Sequence, residues 1–358
     1  MEPVSERLTD QHRVRELVSV AASTKALDLF VLAPGFEERA ISVVDEGTFK
    51  PDAYCILFRF DRLLTDNEKV FERYYRILRK KFSDGRILVV PLCQDAPQDF
   101  SRRFTEHLYN LPRSIITVGL DISGMPSHSV CLVLKCLRDW QPNASQLVFY
   151  TAALEYNPTE QEYHALIARS PDEIELLPRS MALEMDRTLV LDEFRGYQQG
   201  HNARTCLVVL AGHEAHRSNG VIEDINPALL LLVFGKPGDA HLDWRLDLSQ
   251  RLHRKFLSSR RTATATVSTL FFEELTTVLD SYYNYLIDDY NLVIAPVSSK
   301  MQLIAVYLFW ERYSEVQLTF PLPIGYNPAH APIGRGKTYE VDLKPKNPLL
   351  RDPWIENR

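Results

Sequence analysis

The stretch Ala33-Pro-Gly-Phe-Glu-Glu-Arg39 is the starting point, because a variant of it returns as Ala211-Gly-His-Glu-Ala-His-Arg217. Each copy follows an apolar run and leads through a proline into a second apolar run. The second glycine lies 177 residues after the first, and the prolines are 176 residues apart. A Tyr-Asn-Pro segment that begins at Tyr156 recurs 170 residues later. Collinear repeats at a nearly constant offset predict an internal duplication of one α/β unit.

Strand-like and helix-like segments alternate in both copies. Continuous apolar runs such as Leu29–Leu32 and Cys206–Leu210 are typical of strands that are buried on both faces of a parallel sheet. Amphipathic segments such as residues 67–82 separate these runs, with apolar side chains on one side and Lys or Arg opposite. The alternation predicts an α/β fold of two tandem Rossmann-like parallel-sheet units from an internal duplication.

Residues 160–200 interrupt this rhythm, because prolines, glycines and charged residues are frequent there. We expect a first Rossmann-like unit at residues 1–165, a linker at 166–203, a second unit at 204–340 and a C-terminal tail at 341–358. Apolar positions at helical spacing predict a leading helix within residues 5–22 and a long helix at 267–287.

The composition limits the classes of function. The 358-residue chain has a formal net charge of −6, which disfavours a chain-wide nucleic-acid surface. Its apolar runs are far shorter than the roughly 20 residues that a membrane span needs. The N-terminal residues lack the apolar segment of a signal peptide. Five cysteines without a Cys-x-x-Cys pair indicate buried thiols in a reducing, cytoplasmic compartment.

Residues just after the apolar runs are the candidates for a ligand site, since ligands of open α/β sheets bind outside the carboxyl ends of the strands. A glycine before a helix start offers free backbone N–H groups and a positive dipole end to an anion. The candidate ligand-binding residues are Gly35, Arg39, Ser123, Gly212, Arg217 and Lys300. The alternative is that the glycines shape tight turns, while Glu37 or Glu214 caps a helix start and pairs with the arginine.

Asp121, Glu37 and Tyr156 are the candidate catalytic residues. Asp121 begins Asp-Ile-Ser-Gly-Met-Pro126 and is suited to act as a base or to orient a ribose hydroxyl. The alternative is a structural turn in which Ser123 caps the following helix. The second copy has no carboxylate at the corresponding place, so we expect the half with Asp121 to be the working one.

Three further motifs have simpler explanations. Ala331–Thr338 fits a relaxed Walker A pattern but lacks the preceding strand and following helix of a phosphate loop, which predicts a basic surface loop. His213-Glu-Ala-His216 spaces its histidines three apart instead of four, and no metal is predicted. The aromatic run Tyr282–Tyr290 is predicted to pack a helix onto its sheet. The basic residues from Arg251 to Arg261 could contact phosphate or simply form a solvated helix end.

Several familiar motifs are missing from the sequence. Neither first strand is followed by Gly-x-Gly-x-x-Gly, which disfavours a dinucleotide dehydrogenase. The sequence also contains no Gly-x-Ser-x-Gly, which disfavours an α/β-hydrolase. The sequence identifies no cofactor.

Four motifs carry a resemblance to a known group. They are Gly35-Phe-Glu-Glu-Arg39, Asp121-Ile-Ser-Gly-Met-Pro126, Tyr150-Thr followed by Tyr156, and Gly334-Arg-Gly-Lys-Thr-Tyr339. Together they resemble an uncharacterised group of prokaryotic tandem Rossmann-like proteins found among defence gene clusters, over most of the chain. Paired Rossmann-like units are also similar to sensor domains that bind nucleotide second messengers between two lobes. Because a fold does not determine a function, the resemblance assigns no binding residue.

Three functions are open from the sequence. The favoured one is a nucleotide- or nucleic-acid-binding regulatory or sensor module of a prokaryotic antiviral defence system. Its partners would be a nucleotide-like or phosphate-bearing ligand and proteins of a defence complex. The second is an enzyme acting on a nucleotide or nucleoside, with Asp121, Glu37 and Tyr156 around one crevice. The third is a non-catalytic structural subunit of a larger complex.

Overall fold

The structure is a computed structural model that describes residues 14–17, 25–60, 65–92, 96–169, 181–197 and 204–343. The chain forms two compact units. The first unit combines the described residues up to Leu154 with those from Ile333 onward, and the second runs from Glu155 to Pro332. The second unit is therefore inserted between two segments of the first.

The first unit is built on one seven-stranded sheet. Numbered along the whole chain, its strands are β1 (Val14–Leu17), β2 (Leu27–Leu32), β3 (Phe49–Phe60), β4 (Ile87–Leu92), β5 (Thr117–Asp121), β6 (Ser145–Thr151) and β14 (Thr338–Leu343). Its described helices are α1 (Ser42–Glu46), α2 (Thr65–Leu78), α3 (Pro97–Tyr109) and α4 (Ser127–Trp140). The strand order is β1-β14-β6-β5-β2-β3-β4. Strands β6, β5, β2, β3 and β4 are mutually parallel, whereas β14 pairs antiparallel with both β6 and β1.

The second unit is built on a five-stranded parallel sheet of order β10-β9-β8-β11-β12, beside a two-stranded antiparallel sheet. Its strands are β7 (Met185–Leu189), β8 (Arg204–Ala211), β9 (Leu229–Lys236), β10 (Thr262–Ser268), β11 (Tyr290–Pro296), β12 (Gln317–Leu318) and β13 (Phe320–Pro323). Its described helices are α5 (Glu160–Arg169), α6 (Ala215–Ile225), α7 (Trp244–Leu252), α8 (Arg254–Leu257), α9 (Phe272–Leu286) and α10 (Lys300–Arg312).

The parallel strands of both units follow one topology. Counted from the first parallel strand of each unit, the order is 3-2-1-4-5 in both sheets, as in one Rossmann-type arrangement. Apolar side chains of β2 and β3, including Phe30 and Leu57, form the core of the first unit with the apolar face of α2. Leu207 and Val209 of β8 hold the same place in the second. The predicted α/β fold of two tandem Rossmann-like units is confirmed, and the shared strand order supports a duplication.

The observed division of the chain differs from the expected ranges 1–165, 166–203, 204–340 and 341–358. Part of the expected linker is ordered into β7, which pairs with β13, so the described residues 181–197 belong to the second unit. The strand β14 returns to the first sheet beside β6, although its residues 338–340 were expected to end the second unit and its residues 341–343 to begin the C-terminal tail. Both Tyr-Asn-Pro segments also lie in the second unit, where Asn157 Nδ2 donates to the carbonyl of His330 at 3.1 Å.

Two predicted helices include residues that form strands in the structure. Residues 14–17 form β1, which pairs antiparallel with β14, whereas the rest of the predicted helix at 5–22 lies outside the described residues. The predicted helix at 267–287 begins only at Phe272, because Val267 and Ser268 end β10. By contrast, the loop resembling a Walker A motif leads into β14 and not into a helix, which supports its interpretation as a surface loop.

The described cysteines lie in the protein interior. Cys55, Cys131, Cys136 and Cys206 are buried and form no disulfide among the described residues, whereas Cys93 lies outside these residues. Burial raises the pKa of the Cys206 thiol to about 12, so this side chain is an unreactive core residue. In the described ranges, no helix is both long and apolar enough to cross a membrane.

Candidate functional site

The repeated motif lies at the same topological position in both units. The strand order reverses between β2 and β5 in the first sheet and between β8 and β11 in the second. Ala33–Arg39 directly follows β2, and Ala211–Arg217 begins at the last residue of β8. Ligands of open α/β sheets bind at such switch points, so both copies occupy a candidate ligand position.

In the first unit, the turns after β2 and β5 touch each other through two glycines. A Cβ atom on Gly124 would lie 2.5 Å from the carbonyl oxygen of Ala33, and one on Gly35 would lie 3.1 Å from the Cα of Gly124. Both turns therefore need glycine for their close approach, which explains why these residues are glycines without invoking a ligand.

Replacing Gly124 by alanine is expected to destabilise the first unit by about 1–3 kcal/mol, because the new methyl group would overlap a backbone carbonyl that cannot easily move. Chemical denaturation measures this loss. Gly238→Ala is the control, since its Cβ would meet only the Cδ1 atom of Leu270 at 3.4 Å, and its effect should stay within about 0.5 kcal/mol. Equal stability of the Gly124 variant and the native protein would contradict the packing described above.

Arg39 is committed to contacts within the first unit. Its Nε donates to the carboxylate of Glu37, and its Nη1 donates to the hydroxyl of Tyr150 at 3.1 Å and to the carbonyl of Thr151 at 2.9 Å. The two partners of the ion pair are 5% and 8% exposed. Glu37 makes no side-chain capping bond to the following short helix. Of the two structural roles considered for Glu37, it therefore pairs with the arginine but does not cap the helix.

Asp121 and Ser123 hold the turn after β5. Asp121 Oδ1 accepts from the Ser123 amide at 2.8 Å, and Ser123 Oγ accepts from the Thr151 amide at 2.9 Å. Ser123 does not cap α4, whose N-cap residue is Pro126. Burial raises the pKa of Tyr74, and the nearby charge of Asp121 raises it further. The carboxylate is therefore close to a buried phenol and takes part in the turn after β5.

Tyr156 belongs to the second unit, whereas Asp121 and Glu37 belong to the first. The guanidinium carbon of Arg245 lies 4.9 Å from the centre of the Tyr156 ring and 4.8 Å from that of Trp244. Arg245 Nη2 also donates to the carbonyl of Pro158 at 3.2 Å. The expected grouping of the three candidate catalytic residues around one crevice thus has no counterpart within either unit.

In the second unit, Gly212 brings the turn after β8 close to the end of β11. A Cβ atom on Gly212 would lie 3.2 Å from the Val297 carbonyl oxygen and 3.5 Å from the Ser298 Cα. Arg217 Nη1 donates to Glu214 at 2.6 Å. Unlike its counterpart Arg39, the Arg217 side chain is 14% exposed. This copy of the motif is therefore the more accessible one.

Two guanidinium groups act on the imidazole of His213. Burial lowers the pKa of His213, and the positive charges of Arg245 and Arg217 lower it further against the opposing carboxylate of Glu214, to about 4. Arg217 in turn remains protonated, because the charges of Glu214 and Tyr326 outweigh the effect of its own burial and raise its pKa. The end of β8 is thus a cationic cluster, which we call the β8 cluster and define by His213, Glu214, Arg217 and Arg245.

The low pKa of His213 predicts that the protein becomes less stable as the pH is lowered below 6.5. Between the ordinary value of 6.5 and about 4, the imidazole binds a proton when the chain is unfolded but not when it is folded. The stabilising contribution is fully present above pH 6.5 and is lost as the pH falls towards 4. His213→Asn should flatten the decline of melting temperature between pH 7.5 and 5. A residual decline is expected because the pKa values of His216 and His253 are also lowered. Identical declines in both proteins would contradict the assignment.

Lys300 lies on the neighbouring element of the same sheet end. It is the first residue of α10, whose N-cap residue Ser299 accepts from the Gln302 amide at 3.2 Å and donates to the Thr269 carbonyl at 2.7 Å. Since Ser298 approaches Gly212, the turn that carries Lys300 lies beside the turn that carries Gly212. Three sequence-predicted residues of the second unit, Gly212, Arg217 and Lys300, thus belong to one sheet end.

The two histidines of His213-Glu-Ala-His216 are used separately. His216 Nε2 lies 3.0 Å from the carbonyl oxygen of Leu183, whereas the pKa of His213 is lowered by burial and by the charges of Arg245 and Arg217. Over the ranges that the structure describes, no three His, Cys, Asp or Glu side chains are grouped so that they could hold a metal ion. Arg245 was not a candidate from the sequence, since an arginine at a helix start has no motif around it.

No family model matches the chain, and no curated protein matches it significantly. Among solved structures, a Type III CRISPR defence DNA nuclease activated by cyclic oligoadenylate is similar, with a TM-score of 0.45 and 10% identity. That likeness covers 82% of this chain and 65% of the nuclease chain, which is less than two thirds of its length. The N-domain of a bacterial malonyl-CoA reductase, solved with NADP, is similar with a TM-score of 0.19 and 8% identity, over 79% of this chain and 76% of that one. At these scores neither likeness bears on the ligand or the activity of this chain.

Proposed function

We propose that the protein is a binding module for a phosphate-bearing, nucleotide-like ligand, held at the β8 cluster of the second unit. The observation that carries this proposal is that the charges of Arg217 and Arg245 both act on His213. Two guanidinium groups against the single carboxylate of Glu214 give the cluster a positive balance while His213 is neutral. Guanidinium groups match the oxygens of a phosphate with paired hydrogen bonds, which makes arginine the preferred residue for such ligands.

The backbone at the same place supports the proposal. Gly212 precedes the 11-residue helix α6. The first amides of this helix are oriented towards the sheet end, and its dipole favours negative charge there. Both arginines pair with a glutamate, but the first unit offers a poorer seat for an anion, because Arg39 is almost fully buried whereas the Arg217 side chain is 14% exposed. The second unit is therefore the proposed working half.

A regulatory or sensor role fits this chemistry better than catalysis. Asp121 is used in a closed turn, and the ring of Tyr156 packs against a guanidinium group. The sequence resemblance to tandem Rossmann-like proteins of defence gene clusters supports a place in a prokaryotic antiviral system with protein partners. The buried thiols support the cytoplasm as the compartment of this module.

Calorimetric titration with a panel of nucleotides and short oligonucleotides tests the proposal. The panel includes the matching nucleosides, which lack phosphate. We expect at least one phosphate-bearing compound to bind with a dissociation constant of about 1 μM or tighter, and its nucleoside to bind far more weakly. Because part of the attraction is between charges, raising the salt concentration should weaken binding. Failure of every phosphate-bearing compound to bind would refute the proposed function.

A further inference from the structure

The edges of the two main sheets differ in how well they are protected from pairing with another chain. Unpaired strand edges present free N–H and C=O groups, and proteins shield them with short strands, charges or proline. In the described residues, β1 has four residues that include the exposed Glu16, and β12 has two residues. The edge strand β4 carries an exposed proline, Pro91. Three of the four edges are therefore protected.

The fourth edge, β10, has none of these features. It is seven residues long and pairs with β9 along its whole length. Its sequence, Thr-Ala-Thr-Ala-Thr-Val-Ser, contains no charged residue and no proline. Ala263, Thr264 and Thr266 are exposed. Small and β-branched side chains of this kind suit a strand that accepts another strand beside it.

Large apolar side chains flank this edge at both ends. Leu257, the last residue of α8, is 39% exposed, and Phe271, just before α9, is 51% exposed. The connection from β9 to β10 moves outward in the sheet, whereas the connection from β10 to β11 moves back across it. Because both crossovers are right-handed, their helices lie on opposite faces of the sheet. Each face of the edge thus has an exposed apolar residue beside it.

The charges at the two ends of β10 complement those of a second β10 strand that runs in the opposite direction. Arg260 and Arg261 directly precede the strand, and Glu273 and Glu274 lie in the first turn of α9 after it. If a second β10 runs antiparallel beside the first, the basic end of each strand lies next to the acidic end of the other. A twofold axis makes this complementarity occur twice.

We propose that β10 is a dimerisation edge, at which two copies of the chain pair their β10 strands antiparallel about a twofold axis. The two five-stranded sheets then form one continuous sheet of ten strands. Main-chain hydrogen bonds supply the pairing, and Leu257 and Phe271 supply apolar contact on the two faces. A contact of one strand is small for a permanent complex, so the dimer forms and dissociates with protein concentration. This proposal is independent of the ligand.

Sedimentation velocity without ligand, over a series of protein concentrations, tests the dimer. The native protein should pass from the 41.2 kDa of one chain to twice that mass. Thr264→Lys and Thr266→Lys should each shift the midpoint of association at least about tenfold upward, since the two introduced charges then lie near each other on one face of the paired strands. Asn284→Lys, at an exposed position of α9 three turns away from Glu273, is the control and should dimerise normally.

Mixing two opposite variants gives the sharper result. Thr264→Glu should also associate more weakly than the native protein, but an equimolar mixture with Thr264→Lys should regain the dimeric mass, because the pairing then brings opposite charges together. Circular dichroism verifies that each variant is folded, and Thr266→Lys replaces any variant that is not. A native protein that stays at 41.2 kDa at every concentration overturns the proposal. Lysine variants that dimerise like the native protein overturn it equally.

Discussion

Replacing Arg39 by methionine is expected to lower the free energy of unfolding of the first unit by about 3–5 kcal/mol, the usual cost of removing one partner of a buried ion pair. Methionine has a similar volume but leaves the carboxylate of Glu37 without its guanidinium partner in an almost fully buried position. The carbonyl of Thr151 and the hydroxyl of Tyr150 lose a charged donor as well. Arg39 therefore stabilises the turn after β2 and the end of β6 together.

Denaturant titration with a probe in the first unit measures this loss. Because the penalty comes from the stranded carboxylate, the double variant Glu37→Gln/Arg39→Met should recover part of the stability. Arg102→Met is the matched control, since Arg102 pairs with Glu106 on an exposed helix surface, and such pairs contribute only about 0–1 kcal/mol. If Arg39→Met costs no more than Arg102→Met, the buried ion pair does not have the structural role assigned to it.

Replacing Arg245 by glutamine is expected to weaken the binding of a phosphate-bearing ligand by about ten- to a hundredfold, because a charged hydrogen bond contributes about 1.5–3 kcal/mol. Arg245 is the better test than Arg217, whose removal would also leave Glu214 without its partner at 2.6 Å. Arg217→Gln should therefore reduce both ligand binding and stability, whereas the main loss in Arg245→Gln should be in binding.

Isothermal titration with the tightest ligand of the panel gives the dissociation constants of the native protein and of Arg245→Gln. Arg195→Gln is the control within the second unit, because Arg195 forms an exposed pair with Asp192 and lies outside the β8 cluster. The control should bind as the native protein does. Unchanged binding by Arg245→Gln, or an equal loss in Arg195→Gln, would show that the attraction is a general effect of charge and not a property of the β8 cluster.

The strands that the sequence predicts well are those buried on both faces. Leu29–Leu32 and Cys206–Leu210 consist of apolar residues, and each lies in an interior strand of its sheet. Thr262–Ser268 lacks such residues because an edge strand needs little apolar surface, so its alternation of threonine and alanine gave no strand prediction. The return of Thr338–Leu343 to the first sheet could not be predicted, because local patterns do not identify the partner of a strand.

The contacts of the candidate site residues could also be predicted only where both partners lie in one short motif. The pairing of Glu37 with Arg39 and of Glu214 with Arg217 was one of the open interpretations, since each pair lies within a single short motif. The role of Arg245 depends on contacts between distant parts of the chain. It bonds to the carbonyl of Pro158, 87 positions away. Only the folded chain brings such residues together, and no spacing in the sequence indicates it.

The pKa of His213, measured by NMR with and without ligand, tests the central claim most directly. Its imidazole signals are identified by their loss in His213→Asn. In the free protein, the pKa should be about 4, as burial and the two arginines require. A phosphate bound between Arg217 and Arg245 brings negative charge next to the imidazole and favours its protonated form, so the pKa should rise by at least about one unit. A ligand that binds tightly while the pKa of His213 stays unchanged would contradict a site at the β8 cluster.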